Sequence, residues 1–507
     1  MDLVLIHPPV SRPCEPPSGL ARLAGALKAN DAHCLIVDAN MEGLIFLLKG
    51  KGTPEDTWTR RASLHLEENL ATIKSPQAFK NISRYTKAVR EISRILEVNS
   101  QAFATHVNLT NFQHDTLSPV RSSDLIYSSE HPEENVFYPY FRQRLSSIAE
   151  EHEPRIVGFS LNYLSQALTT FAMIGLLRRF TGTVKIILGG GLITSWMRRP
   201  DWHNPFSGLV DELVEGPGEE RILALAGLEG ADVNTLPDYT PFWHNGYLSP
   251  GRILPFSTST GCYWSKCSFC PEKAEGNRYS CIPARHVPAE LGALVQLNSP
   301  VLIHITDNAL SPSLLKAMTD HDSGAPWYGF ARITHHLTDR DFCLALKESG
   351  CVMLQLGLES GDQATLDELG KGIDLDEAAK ALAALHDAGI ATYVYLLFGT
   401  PVEDAVCARK TLDYVTRHAG SIDFLNLSIF NLPRGGPDAD NLQTYDFFDG
   451  DLSLYQGFIH PKGWDRNRVR QFLDKEFKRH PVISRIIRRD PPYFTSNHAP
   501  FFVKNRP

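Results

Sequence analysis

Short apolar runs alternate with helical patterns at the start of the chain and again after residue 150. Five runs have the length of buried strands: residues 3–7, 34–38, 155–160, 184–188 and 209–214. Between them, residues 19–28 and the stretch from Ser165 to about Phe180 carry apolar side chains at helical spacing. Strands that alternate with helices predict a doubly wound parallel sheet, which binds ligands at the carboxyl ends of its strands.

Residues 41–150 interrupt this order. Their sequence is polar and has helical spacing, as in residues 60–70, so we interpret it as a helical insertion in the first domain. An insertion of this length is compatible with a lid or interaction surface and equally with a structural cap.

A second series of strand-like runs fills the second half of the chain: residues 253–258, 301–306, 327–332, 352–358, 392–398 and 424–430. Side chains in a strand point to alternate faces. In the fourth run, Gln355, Gly357 and Glu359 therefore share one face and the leucines share the other. Asn426 and Ser428 alternate with apolar residues in the same way. Strands with one apolar and one polar face predict a barrel with a polar interior.

Three cysteines lie close together where the second series begins. Cys262, Cys267 and Cys270 have the spacing C-x4-C-x2-C. Thiolates are the ligands of iron-sulfur clusters, and three of them on a four-iron cluster leave one iron open. Two other interpretations remain: a zinc site with Cys281 as the fourth ligand, and buried inert cysteines.

Composition limits the class of protein and of partner. A chain of 507 residues with 43% hydrophobic and 21% charged residues is typical of a soluble protein of two or three domains. A net charge of -8 argues against nucleic acid and favours a small-molecule or peptide substrate. No apolar run is long enough to span a membrane, and the nine cysteines are odd in number, so we expect a cytoplasmic protein.

The loop from Gly261 to Pro271 resembles the cluster loop of the radical S-adenosylmethionine (SAM) enzymes. The usual spacing in that family is C-x3-C-x2-C, and this chain has one extra residue between Cys262 and Cys267. Phe269 stands directly before the last cysteine, as the family prefers. The resemblance implies a [4Fe-4S] cluster on the three cysteines, SAM on the open iron, and an electron donor such as flavodoxin or ferredoxin.

The resemblance continues along the six strands and implies a TIM-like (β/α)6 barrel whose polar strand ends hold SAM. The residues that it implies as SAM contacts are Phe269, Asp307, Arg332, Gln355, Glu359 and Ser428. For any one of the charged residues, an ion pair or a cap within the fold is an alternative explanation.

The first domain resembles the Rossmann-like domain of the cobalamin-binding class of radical SAM enzymes. The residues that this implies as cobalamin contacts are Pro9, Ser160, Gly189, Gly190, Gly191 and Gly216. Asp31-Ala32-His33 lacks the glycine of the D-x-H-x-x-G motif, so we expect no histidine below the cobalt. We expect a bulky side chain at Gly190 to expel the corrin, because only backbone fits there.

The predicted α/β organisation has three parts: a first domain over residues 1–240 with its insertion, a barrel over 245–435, and a helical C-terminal region over 436–507 that closes the barrel. A membrane-surface role for the C-terminal helices is the alternative. The resemblance implies an enzyme that cleaves SAM to a 5′-deoxyadenosyl radical and methylates an unactivated carbon or phosphorus centre with cobalamin. The alternatives are a radical SAM enzyme without corrin, and a non-catalytic iron-sulfur or zinc scaffold.

Overall fold

The computed structural model describes residues 2–50, 52, 56–447 and 449–503. They form two compact units: the first spans residues 1–252 together with 448–454, and the second spans 253–447 together with 455–507. The boundary follows Arg252, twelve residues beyond the predicted end of the first domain at 240. The C-terminal region predicted as a separate part belongs to the second unit, apart from residues 448–454. The last residues of that predicted region, 504–507, lie outside the described residues.

A five-stranded parallel sheet is the centre of the first unit. Its strands are β1 (Leu3–His7), β2 (Leu35–Asp38), β3 (Ile156–Ser160), β4 (Lys185–Gly189) and β5 (Glu212–Leu213). Their spatial order is β2-β1-β3-β4-β5, so the chain changes direction across the sheet between β1 and β3. This confirms the doubly wound sheet, whose crevice for ligands lies at such a switch point. Four helices outside the insertion accompany the sheet: Ser18–Ala29, Leu164–Phe180, Gly191–Met197 and Glu219–Leu225.

The insertion is mostly helical, with one difference from the prediction. Its helices are Ala39–Leu48, Thr57–Leu64, Leu66–Ile73, Ile82–Ser100, Ser122–Glu130 and Tyr138–His152. An antiparallel hairpin of Thr105–Val107 and Phe112–His114 lies among them. Each of its strands has three residues, which is too short for an alternating pattern to stand out in the sequence.

The second unit contains the six parallel strands that the sequence predicts. They are β6 (Ile253–Phe256), β7 (Leu302–Leu310), β8 (Trp327–Ala331), β9 (Cys351–Glu359), β10 (Ala391–Phe398) and β11 (Phe424–Ile429). Neighbours in sequence are neighbours in the sheet, with β6 and β11 at its two edges. The sheet is therefore the predicted partial barrel, and its carboxyl ends are the edge at which ligands bind in such folds.

The strand register fixes which side chains share the inner face. Gln355 lies opposite Phe330 on one side and Tyr393 on the other, and Tyr395 lies opposite Gly357 and Asn426. The outer face is apolar and is covered by helices: Val287–Asn298, Pro312–Thr319, Arg340–Glu348, Gln363–Glu368, Leu375–Asp387 and Ala405–Arg417.

The C-terminal region is not purely helical, contrary to the prediction. A small antiparallel sheet forms from Leu432–Pro433, Tyr455–Phe458 and Thr444–Tyr445. Helices Arg466–Phe472, Pro481–Ile487 and Thr495–Val503 follow it. No helix among the described residues is long and apolar enough to cross a membrane.

This region meets the inner face of the barrel through tyrosines. The hydroxyl of Tyr393 donates to Asp490 over 2.8 Å, and the amide of Asn497 donates to the hydroxyl of Tyr328 over 3.3 Å. Both tyrosines lie in the amino-terminal halves of their strands. The segment from Asp490 to Asn497 therefore lies at the end of the barrel opposite to the one that carries the cysteine loop.

Candidate active site

The cysteine loop is anchored to the barrel by Asp307. One carboxylate oxygen of Asp307 accepts the backbone N–H of Thr258 over 2.7 Å. The other accepts the hydroxyls of Thr258, over 2.6 Å, and Ser259, over 2.5 Å. Asp307 itself is buried. The bonds to both oxygens favour the alternative left open in the sequence, that Asp307 is a cap within the fold.

Backbone geometry also shapes the loop. Ser259–Thr260 pairs with Ser280–Cys281 as a short antiparallel ladder. Gly261 has φ +70°, and a Cβ there would lie 2.6 Å from the carbonyl oxygen of Arg278. Only glycine fits this position without displacing the paired strand.

The Cys267 thiol lies within electrostatic range of both other cysteines of the loop. Burial raises the pKa of the Cys267 thiol, and a Cys262 thiolate adds to this. Burial raises the pKa of Cys270 to about 11, with a smaller contribution from a Cys267 thiolate. Because metal ligation requires thiolates, these shifts mean that the thiols need positive charge nearby to become ligands. Three such thiols in one loop fit the donor set of a four-iron cluster.

Cys281 is not placed like the other three. Its side chain is exposed, and its backbone pairs with Ser259. Across the described part of the chain, no three or more His, Cys, Asp or Glu side chains are grouped so as to hold a single metal ion.

Arg332 lies against the loop and contacts Cys267. Its guanidinium stands 4.0 Å over the ring of Trp264, and one of its nitrogens lies 4.0 Å from the sulfur of Cys267. Another of its nitrogens donates to the carbonyl oxygen of Lys371 over 2.5 Å. Arg332 is buried and lowers the pKa of the Cys267 thiol. The structure therefore places Arg332 next to the candidate cluster ligands.

Lys371 is a second cation at the loop, and it was not among the site residues predicted from the sequence. Its ammonium group lies 2.7 Å from a carboxylate oxygen of Glu359, with 7% and 12% of the two side chains exposed. It also lies 5.7 Å from the ring centre of Phe269. Lys371 is the largest of the charges that lower the pKa of Cys267. The ion pair of Lys371 and Glu359 thus adjoins the cysteine loop.

The segment around Lys371 holds the loop through backbone contacts. The indole N–H of Trp264 donates to the carbonyl of Gly370 over 3.0 Å, and the N–H of Ser268 donates to the carbonyl of Leu369 over 3.0 Å. Gly372 has φ +63°, and a Cβ there would stand 2.3 Å from the Trp264 ring. The glycine therefore allows the tryptophan to pack under Arg332.

The other predicted SAM residues lie on the inner face of the barrel. The amide of Gln355 donates to the hydroxyl of Tyr395 over 2.8 Å, and the ring of Tyr395 packs 4.8 Å from that of Phe330. The hydroxyl of Ser428 donates to the side-chain oxygen of Asn426 over 2.7 Å. Tyr395 was missed in the sequence, although its position two residues after Tyr393 places both tyrosines on the same face.

In the first unit, the chain after β1 is fixed by the helix Leu164–Phe180. Gln166 donates to the carbonyl of Pro8 over 2.7 Å, Ser165 donates to that of Val10 over 2.8 Å, and Thr169 donates to that of Pro9. Pro9 is buried. Burial therefore leaves little of the Pro9 ring accessible for the predicted contact with a corrin.

Asn162 joins the ends of β3 and β4. Its amide nitrogen donates to the hydroxyl of Ser160 over 3.0 Å, and its oxygen accepts the N–H of Gly191 over 3.0 Å. Next to them, Tyr163 is 57% exposed. Neither residue was among the predicted contacts, and both lie at the switch-point edge of the sheet.

The glycines at this edge have different roles. Gly190 has φ +109°, and a Cβ there would lie 2.5 Å from the carbonyl oxygen of Leu161. A bulky residue at Gly190 would thus also disturb the unit's own fold, and the expected loss of a corrin with SAM cleavage intact stays a prediction. Gly191 is exposed, and a Cβ there would meet only Asn162, at 3.8 Å or more.

Gly189 and Gly216 are also open on their outer sides. A Cβ on Gly189 would make an ordinary contact of 3.6 Å with Val214. Gly216 has φ +72°, and its N–H donates to the hydroxyl of Thr194 over 2.9 Å. With Gly191, these two glycines leave space in front of the strand ends.

Comparison with known proteins shows what the barrel is similar to. Residues 256–415 match the Radical SAM superfamily. The anaerobic magnesium-protoporphyrin IX monomethyl ester cyclase of Rubrivivax gelatinosus is 22% identical over 252 residues, which are 45% of this chain and 44% of the cyclase. The chain therefore spans less than half the length of that relative.

Two solved structures share the fold over most of the chain. One is the radical SAM methyltransferase TsrM from Kitasatospora setae with cobalamin and a [4Fe-4S] cluster bound, at 16% identity and a TM-score of 0.52 over 87% of this chain and 75% of that one. The other is the cobalamin-dependent SAM radical enzyme OxsB with aqua-cobalamin bound, at 11% identity and a TM-score of 0.61 over 94% and 67%.

Proposed function

Because the chain carries a radical SAM domain over residues 256–415, we propose that it is an enzyme that cleaves SAM reductively at a [4Fe-4S] cluster held by Cys262, Cys267 and Cys270. The observation that carries the proposal is the placing of the three thiols in one anchored loop beside two buried cations, Arg332 and Lys371. When bound, the cluster supplies the electron that splits SAM into methionine and a 5′-deoxyadenosyl radical.

The residues around the loop make cluster binding favourable. Arg332 and Lys371 stabilise the thiolate form of Cys267, because opposite charge favours the ionised state. Trp264 and Phe269 cover the two cations with their rings, and Asp307 holds the loop in place. In this account, Arg332 and Asp307 act on the loop, whereas the resemblance in the sequence implied them as SAM contacts.

SAM is proposed to lie on the inner face of the barrel beside the loop. Gln355, Tyr395 and Ser428 supply amide and hydroxyl groups there. Glu359 supplies a carboxylate at the carboxyl end of β9 that can accept a hydrogen bond from an ammonium group. Its present partner, Lys371, donates a hydrogen bond to that carboxylate over 2.7 Å.

We further propose that the chain binds cobalamin at the switch-point edge of the first unit and transfers a methyl group to an unactivated centre of a small-molecule substrate. The fold shared with TsrM and OxsB, whose structures contain cobalamin, supports this proposal. So does the open space that Gly189, Gly191 and Gly216 leave at the strand ends, because glycines allow close approach of a ligand to backbone.

A radical reaction without methyl transfer is the second candidate. The likeness of part of the chain to a cyclase favours it, because ring formation on an organic substrate needs no transferred methyl group. The two candidates share the cluster and SAM and differ in the use of the corrin.

Anaerobic reconstitution with iron, sulfide and hydroxocobalamin tests the proposal. We expect about four irons per chain, a bound corrin, and 5′-deoxyadenosine after reduction with SAM. Alanine at Cys262, Cys267 or Cys270 should abolish 5′-deoxyadenosine, whereas alanine at the exposed Cys281 should not. Cluster without corrin would favour the second candidate, and a protein with neither cluster nor SAM cleavage would be a non-catalytic scaffold.

A further inference from the structure

Arg466 stands at the carboxyl end of the last barrel strand. It opens the helix Arg466–Phe472, and one of its guanidinium nitrogens donates to the side-chain oxygen of Asn431 over 2.7 Å. Asn431 follows the end of β11 by two residues. The guanidinium also lies 5.0 Å from the centre of the Phe447 ring. This is the end of the barrel at which ligands bind.

The charge of Arg466 has no counter-ion among the described residues. No carboxylate in that part of the chain lies within salt-bridge distance of it, and its Nε is buried without a hydrogen-bond partner. Burial, and then the neighbouring Arg470, lower the pKa of Arg466. A partly buried cation without an anion costs free energy. A neutral amide could donate the same bond to Asn431, so that bond alone does not require an arginine here.

A second guanidinium borders the same place. Arg434 pairs with Asp446 over 2.7 Å, but 78% of the Asp446 side chain is exposed. The Nε of Arg434 is likewise buried without a partner in the described structure. Asp446 and Phe447 are consecutive, so both arginines contact one short segment.

This segment directly follows Thr444–Tyr445, a strand of the small antiparallel sheet. Pro433, directly before Arg434, pairs with Tyr455. The cysteine loop follows the carboxyl end of β6, and Asn431 and Arg434 follow the carboxyl end of β11. The arginines and the loop therefore lie at the same end of the barrel.

We propose that the substrate carries an oxyanion, a carboxylate or a phosphate, and that Arg466 binds it, with Asn431 and Arg434 beside it. The proposal rests on the proposed radical SAM function and adds the substrate class to it. A guanidinium offers a planar pair of donors that matches two oxygens of such a group. The bound anion would supply the negative charge that the described residues do not place beside the Arg466 guanidinium.

Thermal unfolding of the cluster-loaded chain tests this with inorganic phosphate and with acetate as probes, each against chloride at equal ionic strength. At ten times its dissociation constant, a probe should raise the unfolding midpoint of a chain of this length by about 1–2 °C. Arg466→Met should abolish the response and, in chloride alone, should melt higher than the parent because the uncompensated charge is gone. Arg466→Lys should keep part of the response. Arg468→Met, at an exposed position of the same helix, is the matched control and should keep all of it.

Three results would overturn the inference. Arg466→Met could melt lower than the parent in chloride, which would make Arg466 a structural residue. It could keep the full response to both probes, which would place their binding elsewhere. It could lose SAM affinity tenfold or more, which would assign Arg466 to the carboxylate of SAM. Formation of 5′-deoxyadenosine by the parent is measured separately, so that failure of the radical SAM function is distinguishable from failure of the anion site.

Discussion

Asp307→Asn separates a residue that positions the cysteine loop from one that binds SAM. In the parent, the carboxylate accepts one backbone N–H and two hydroxyls from Thr258 and Ser259. Hydrogen bonds to charged groups contribute about 1.5–3 kcal/mol each and neutral ones about 0.5–1.5 kcal/mol. The three bonds share one carboxylate, so their contributions are not additive. Replacing the charged group by a neutral amide therefore costs about 2–4 kcal/mol.

This cost appears in cluster binding, because an unanchored loop must be ordered when the cluster binds. A penalty of about 3 kcal/mol corresponds to roughly a 100-fold weaker hold on the cluster. The assay is loss of iron to a chelator under anaerobic conditions, followed by absorbance. Asp320→Asn, at an exposed position, is the control and should behave as the parent.

In contrast to cluster retention, the affinity for SAM should not change. In Asp307→Asn protein that has been fully reloaded with cluster, the dissociation constant of SAM should equal that of the parent. If iron retention were unchanged and SAM bound tenfold more weakly, Asp307 would be a direct SAM ligand and the reasoning from its hydrogen bonds would be refuted.

Three further predictions follow from other residues. Lys371→Met leaves the Glu359 carboxylate buried and unpaired, so urea unfolding should show a loss of about 3–5 kcal/mol, most of which Glu359→Gln restores in the double variant. Gly191→Leu should weaken corrin binding at least about tenfold in a spectrophotometric titration and leave SAM cleavage intact, because its side chain enters open space. Burial raises the pKa of Glu403 to about 8 in the folded protein. The stabilising contribution of the protonated Glu403 side chain is therefore complete below the pKa that Glu403 has in the unfolded chain, and it is lost as the pH rises to about 8. Unfolding free energy should fall by about 1.4 kcal/mol per pH unit in that window, and Glu403→Gln should remove this slope.

The sequence was sufficient for the barrel because its strands are long and alternate. The run 352–358 showed its two faces directly, and the register around Gln355 agrees with them. The small C-terminal sheet was missed because Leu432–Pro433 and Thr444–Tyr445 have two residues each, which no periodicity can reveal.

The roles of charged residues depended on contacts that no local pattern contains. The carboxylate of Asp307 caps residues 49 positions away. Lys371 pairs with Glu359, which is 12 positions earlier in the chain, and its ammonium group thereby lies beside the cysteine loop. For Gly190, the sequence could show a turn after a strand, but the carbonyl of Leu161 that excludes a side chain appears only in three dimensions.

The most direct test of the central claim is electron-nuclear double resonance on the reduced, reconstituted chain with SAM labelled with ¹⁵N in its amino group. The proposal that Cys262, Cys267 and Cys270 leave one iron open to SAM predicts a coupling between the cluster spin and the labelled nitrogen. A [4Fe-4S] signal that is unchanged by labelled SAM, at SAM concentrations that saturate binding, would contradict it.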